Sequence, residues 1–156
     1  MKKLSPEVIS FFHSQGFVIV STVDQEGFPH SSCKALVKID SEGRLYLVDV
    51  YSGVTTKNLK RNPQVSVSAV DEYRFIGYCL KGRASIVTDG HFNQEIIKKW
   101  EDTVTSRLAK RMLTNLSKDK SHGHHPEAKL PLPQHLIVIE VEQIVDLSPH
   151  HLKKEA

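Results

Sequence analysis

The sequence predicts an α+β, mainly β fold: a six-stranded antiparallel barrel of Greek-key type, with a short N-terminal helix and a long helix before the last strand. Three observations predict it. β-rich runs fill most of the 156 residues, glycine-bearing turns separate several of them at hairpin spacing, and one late stretch carries apolar residues at mostly four-residue steps. Six strands beside one long helix favour closure, because a closed sheet exposes no edge. With 39% apolar residues the chain can bury one core but hardly two, so a single domain over residues 1–156 is expected.

Ser5-Pro6 suits an N-cap and first helical position, and Val8, Ile9, Phe11 and Phe12 give a short amphipathic helix ending near Gly16. Phe17 to Val23 is a β-rich run. Asp24-Gln25-Glu26-Gly27 turns it into a second run from Pro29 to Ile39, and Asp40-Ser41-Glu42-Gly43 repeats that turn before Arg44 to Val50. Thr55 to Arg61 is a short helix, stopped at Asn62-Pro63 because the residue before proline avoids helical angles. Val65, Val67 and Ala69 alternate with Ser66 and Ser68 as a half-buried strand. Arg74 to Val87 follows as a long strand, with Gly77 and Gly82 as points for a bend or bulge.

After Asp89-Gly90, the positions Phe92, Ile96, Ile97, Trp100, Val104, Leu108, Met112 and Leu116 place one apolar face on a long helix or on two joined helices. Residues 118–133 form a polar loop containing His122, His124 and His125. Leu136 to Leu147 alternates as the last strand, and residues 149–156 form a tail.

The stretch from Gly43 to Val87 carries the chemistry. Ser52, Gly53, Thr55 and Thr56 sit where a strand stops and a helix starts, so backbone N–H groups and hydroxyls can converge on one anion. Capping a surface helix is the commoner fate of such residues. Lys57, Lys60 and Arg61 can be a solvated helix face.

The net charge of +3 owes much to Lys2, Lys3, Lys153 and Lys154 at the two ends, and no basic stripe with interleaved aromatics marks a nucleic-acid surface. A small anionic ligand is the more economical partner. Cys33 and Cys79 are isolated, and no apolar run resembles a signal peptide or a membrane span, so a cytoplasmic protein with free thiols is expected. The histidines of the polar loop have Glu127 as their only adjacent carboxylate, which favours a surface loop over a metal site. There is no nucleophile elbow, Walker loop or pair of catalytic carboxylates.

Four segments together resemble one family. G-F-P-H at 27–30, S-G-V-T-T-K-N-L-K-R-N-P-Q-V at 52–65, G-Y-C-L-K-G-R-A at 77–84 and T-D-G at 88–90 look like the FMN-binding split-barrel proteins related to pyridoxamine 5'-phosphate oxidase, and among them the small FMN-binding proteins. The resemblance implies a homodimer with FMN at the subunit interface. It puts the phosphate on Ser52, Gly53, Val54, Thr55 and Thr56, and the flavin edge against the backbone of Ser32, Cys33, Lys34, Ala35 and Leu36 and of Asp49 to Tyr51. Relatives place Lys or Arg where this chain has Val54, so Lys57, Lys34 or Lys38 is expected to supply the charge.

Trp100 follows the T-D-G turn at nearly the spacing at which a small FMN-binding relative carries a tryptophan near its flavin. It either shields the ring or anchors the helix in the core. The resemblance implies an FMN-dependent oxidoreductase that takes electrons from a small-molecule donor such as a reduced nicotinamide. An electron carrier or flavin-storage protein, or a barrel that binds deazaflavin or haem instead, are the alternatives. Haem would want an axial ligand, for which His150, His151 or the histidine-rich loop could serve. The end L-S-P-H-H-L-K-K-E-A lacks the Arg-rich substrate-binding segment of the oxidase itself.

Overall fold

The structure is a computed structural model that describes residues 1–88, 94–117 and 135–153. In chain order it contains helix α1 (Pro6–Ser14), strands β1 (Val18–Val23), β2 (Pro29–Ile39) and β3 (Arg44–Asp49), helix α2 (Val54–Arg61), strands β4 (Gln64–Asp71) and β5 (Ile76–Thr88), helix α3 (Gln94–Ser117) and strand β6 (His135–Asp146). The strands close a barrel in the order β1-β2-β3-β6-β5-β4, every neighbouring pair antiparallel, with β4 returning to β1. Residues 118–134, which include the expected polar loop and its three histidines, lie outside the described residues.

Local chemistry accounts for the elements. Ser5 caps α1, its Oγ accepting the Val8 N–H at 3.3 Å, and Pro6 occupies the first turn, where no N–H is missed. The two Asp-x-x-Gly turns use one device twice. Asp24 Oδ1 accepts the Glu26 and Phe28 N–H groups at 3.0 and 2.8 Å and Asp40 Oδ1 accepts that of Arg44 at 2.9 Å, while Gly27 and Gly43 take φ of 89° and 95°.

β5 starts later than the sequence suggests. Asp71 Oδ1 accepts the N–H groups of Tyr73 and Arg74 at 3.1 and 3.0 Å, its Oδ2 lies 2.7 Å from Arg74 Nε, and Phe75 takes a left-handed φ of 54°. Arg74 and Phe75 therefore belong to the turn. Gly77 stays in regular register opposite Val70, whereas Gly82 marks a true irregularity: β6 partners jump from Gln143 to Val141 there. Within the expected tail, His150–Leu152 form a single 3-10 turn, and residues 154–156 lie outside the described residues.

Alternation along the strands sorts the core into two parts. Inward positions such as Val18, Val20, Leu45, Leu47, Val67, Leu80, Ile137 and Ile139 are fully buried and meet Phe11 and Phe12 of α1 and Leu59 of α2. Outside the barrel, Val37, Val48 and Leu136 pack against Ile96 and Trp100 of α3. A register shift between Leu36 and Lys38 turns Val37 outward to join that second cluster. The expected long helix is thus one helix, docked on the outer face of β2, β3 and β6.

Candidate functional site

α2 lies at the barrel end where β3 finishes, and its buried face is polar. Thr55, Thr56 and Asn58 are each 5% exposed or less, beside Leu59. Each polar side chain finds a partner inside the barrel wall. Ser32 Oγ and Thr55 Oγ1 are 2.9 Å apart, Asn58 Nδ2 donates to Thr22 Oγ1 at 3.0 Å, and the Thr56 hydroxyl donates to Asp49 Oδ2. Asp49 Oδ1 accepts from Lys34 Nζ at 2.8 Å, with the two side chains only 2% and 12% exposed. Sequence reading missed Asn58 and Thr22; the signal available was a polar residue three positions after Thr55 on the face that Leu59 buries.

Burial pushes the Asp49 carboxyl upward, but the Lys34 ammonium, the Thr56 hydroxyl and the backbone N–H of Tyr51 outweigh it and hold the group below the usual carboxylate range. The carboxylate therefore ties β2, β3, the connecting turn and α2 together. A buried pair of this kind is worth little against an apolar substitute, yet losing one partner is costly. Its value here is geometric.

On its outer side the same turn is open. Ser52 takes a left-handed φ of 47°, and Gly53 stands at the N-cap of α2 with no side-chain hydrogen bond to the first turn. The first N–H groups of any α-helix have no partner within the helix, and those of α2 lie at this turn, where Gly53 and Val54 are exposed. A second opening adjoins this one. β1 pairs with residues 29–34 of β2 and β3 with residues 35–39. Among the described residues no strand pairs with the β3-facing edge of Pro29 to Lys34, so Ser32 and Lys34 border both a free strand edge and α2.

The three lysines considered as anion partners have separated. Lys34 is engaged by Asp49, Lys38 lies 3.7 Å from Glu95 and over the Tyr46 ring, and Lys57 is exposed on α2. Val54, at the first helical position, is 47% exposed and Tyr51 69%. Cys33 is exposed on the outer face of β2 and Ala35 half-buried opposite Val48. Trp100 is 6% exposed within the cluster under α3. Tyr78 lies edge-on to Phe11 of α1, with ring centroids 5.2 Å apart. Among the described residues no group of three or more His, Cys, Asp or Glu side chains is placed to hold a metal ion, and no helix is long and apolar enough to cross a membrane.

Residues 4–147 match the pyridoxamine 5'-phosphate oxidase family. The chain belongs to that family. Solved structures agree with the assignment at the level of fold. HupZ of Group A Streptococcus is 21% identical, with 93% of this chain and 94% of HupZ covered and a TM-score of 0.67. A Clostridium acetobutylicum protein of the pyridoxinephosphate oxidase family, related to general stress protein 26 of B. subtilis, is 20% identical, with 94% and 88% covered and a TM-score of 0.60. The heme storage protein HutZ of Vibrio cholerae is 19% identical, with 93% and 94% covered and a TM-score of 0.54. No curated protein matches the chain significantly.

FMN binding is the general property of the pyridoxamine 5'-phosphate oxidase family, and the donor set here is compatible with it. The α2 turn offers backbone N–H groups to a phosphate, Lys57 offers a charge from the same helix, and the free β2 edge offers backbone groups to a ring edge. What the site lacks is a cation at Val54.

Proposed function

We propose that this family member is an FMN-binding flavoprotein of oxidoreductase type, acting as a homodimer on a small-molecule electron donor or acceptor. One observation carries the reading: the open first turn of α2 and the free edge of β2 adjoin, linked by the Ser32–Thr55 hydrogen bond at 2.9 Å. In this reading the phosphate lies against Ser52, Gly53, Thr55 and Thr56 through their N–H groups, with Lys57 nearby. The flavin edge lies along Ser32, Cys33, Lys34 and Ala35 and the end of β3 at Asp49 to Tyr51.

When bound, FMN supplies the hydride or electron chemistry. The protein's part is to position it. The Lys34–Asp49–Thr56 links keep the turn rigid, so little ordering is left to be done on binding. Support for the dimer comes from Ile19, Val23 and Val70, which alternation places on the outer face of β1 and β4 and which are 46, 36 and 61% exposed.

The test is an absorbance spectrum of the purified protein, then titration of flavin-stripped protein with FMN, FAD and riboflavin. A flavin spectrum with FMN preferred over riboflavin is the expected result; a colourless protein that ignores all three flavins would overturn the reading. Haem is the second reading, favoured by the missing cation at Val54 and by Lys34 being engaged by Asp49. It predicts a Soret band on titration with hemin in place of flavin binding.

A further inference from the structure

The carboxylate of Asp49 meets the α2 turn from inside, where it receives the Thr56 hydroxyl and the Tyr51 N–H. Lys34, which reaches this junction through the same carboxylate, is held on the other oxygen at 2.8 Å. An anion approaching from outside therefore meets a helix terminus beside which the Lys34 charge is already neutralised, while Lys57 stands exposed further along α2. Thr55 and Thr56 have their hydroxyls bonded inward, to Ser32 and Asp49, so the outward donors are backbone groups. Charge-assisted hydrogen bonds are roughly twice as strong as neutral ones, so neutralising Lys34 weakens the hold on a dianion far more than on an uncharged ligand.

We propose that the buried Lys34–Asp49 pair determines specificity at the α2 turn: Asp49 withholds the Lys34 charge from the bound ligand and so limits how strongly phosphorylated ligands are preferred over phosphate-free ones. This rests on the flavin reading above and adds a role that the fold family does not dictate. Asp49 acts through Lys34 and the turn, so it is a positioning residue.

The test measures the dissociation constants of FMN and riboflavin for the parent and for Asp49→Asn, with the melting temperature of each. The ratio of riboflavin to FMN constants should rise on the order of tenfold in Asp49→Asn, the scale of one uncompensated charge near a protein surface. In Lys34→Met/Asp49→Asn, which removes both charges, the ratio should return to the parent's value. Should Asp49→Asn fail to fold, Lys34→Gln carries the test with opposite sign, the ratio falling as Asp49 is left unopposed. A ratio that stays constant while both affinities fall together would mean a structural role only and overturn the inference. A parent that binds FMN alongside variants of unchanged ratio overturns it alone, whereas a parent that binds no flavin overturns the flavin reading and this inference with it.

Discussion

Asp49 is the residue on which the local electrostatics turn. Its native pKa is depressed, because Lys34, Thr56 and Tyr51 favour the charged form more than burial disfavours it. A group whose native pKa lies below its unfolded one contributes stability above the unfolded value and loses it as the pH falls through the native value. Parent protein should therefore exceed Asp49→Asn in urea midpoint at neutral pH, with the gap narrowing as the pH falls below the unfolded carboxylate value of about 3.9. A gap that stays constant over that range would contradict the assignment. Thr55 and Thr56 were legible as candidates from their place at a helix start, and Ser32, Lys34 and Asp49 through the family resemblance. Their pairings were not, since Lys34 and Asp49 lie 15 positions apart and meet only when β2 and β3 align.

At the scale of elements, the two Asp-x-x-Gly turns look alike in sequence and differ in surroundings. Both glycines have positive φ, which costs any other L-residue roughly 1–2 kcal/mol. A Cβ on Gly27 would meet nothing within 4 Å, but one on Gly43 would lie 2.2 Å from the Lys2 carbonyl oxygen, where the N-terminal segment crosses the barrel. Gly27→Ala should therefore lower the unfolding free energy by about 1 kcal/mol and Gly43→Ala by about 1–3 kcal/mol more, as overpacking does. Denaturant titration of both variants checks it; equal losses would sink the distinction. Strands, turns and helices were readable because periodicity and turn residues are local signals. The β4–β5 turn was misread because Arg-Phe-Ile continues a strand pattern, while what ends the strand is the reach of the Asp71 side chain.

The whole molecule closes through pairings distant in sequence. β1 meets β4 and β3 meets β6, so the barrel cannot seal until the last strand arrives. Such non-local topologies fold slowly, and refolding from urea should take milliseconds to seconds, with microsecond refolding counting against this closure. Closure itself was legible from the edge problem of an open sheet. Strand order was not, because alternation shows which face of a strand is buried but leaves its neighbours open. The free edge of β2 is likewise invisible in sequence, being a product of register.

The chain has one tryptophan, and it lies outside the barrel, in the cluster that joins α3 to β2, β3 and β6. Intrinsic fluorescence is thus a local gauge of whether that helix is docked, while far-ultraviolet dichroism follows the strands. Should α3 detach before the barrel melts, the two signals would part on heating, and the shoulder of the emission curve would date the event. A protein built as a sealed cylinder with one strapped-on rod carries its own reporter at the strap.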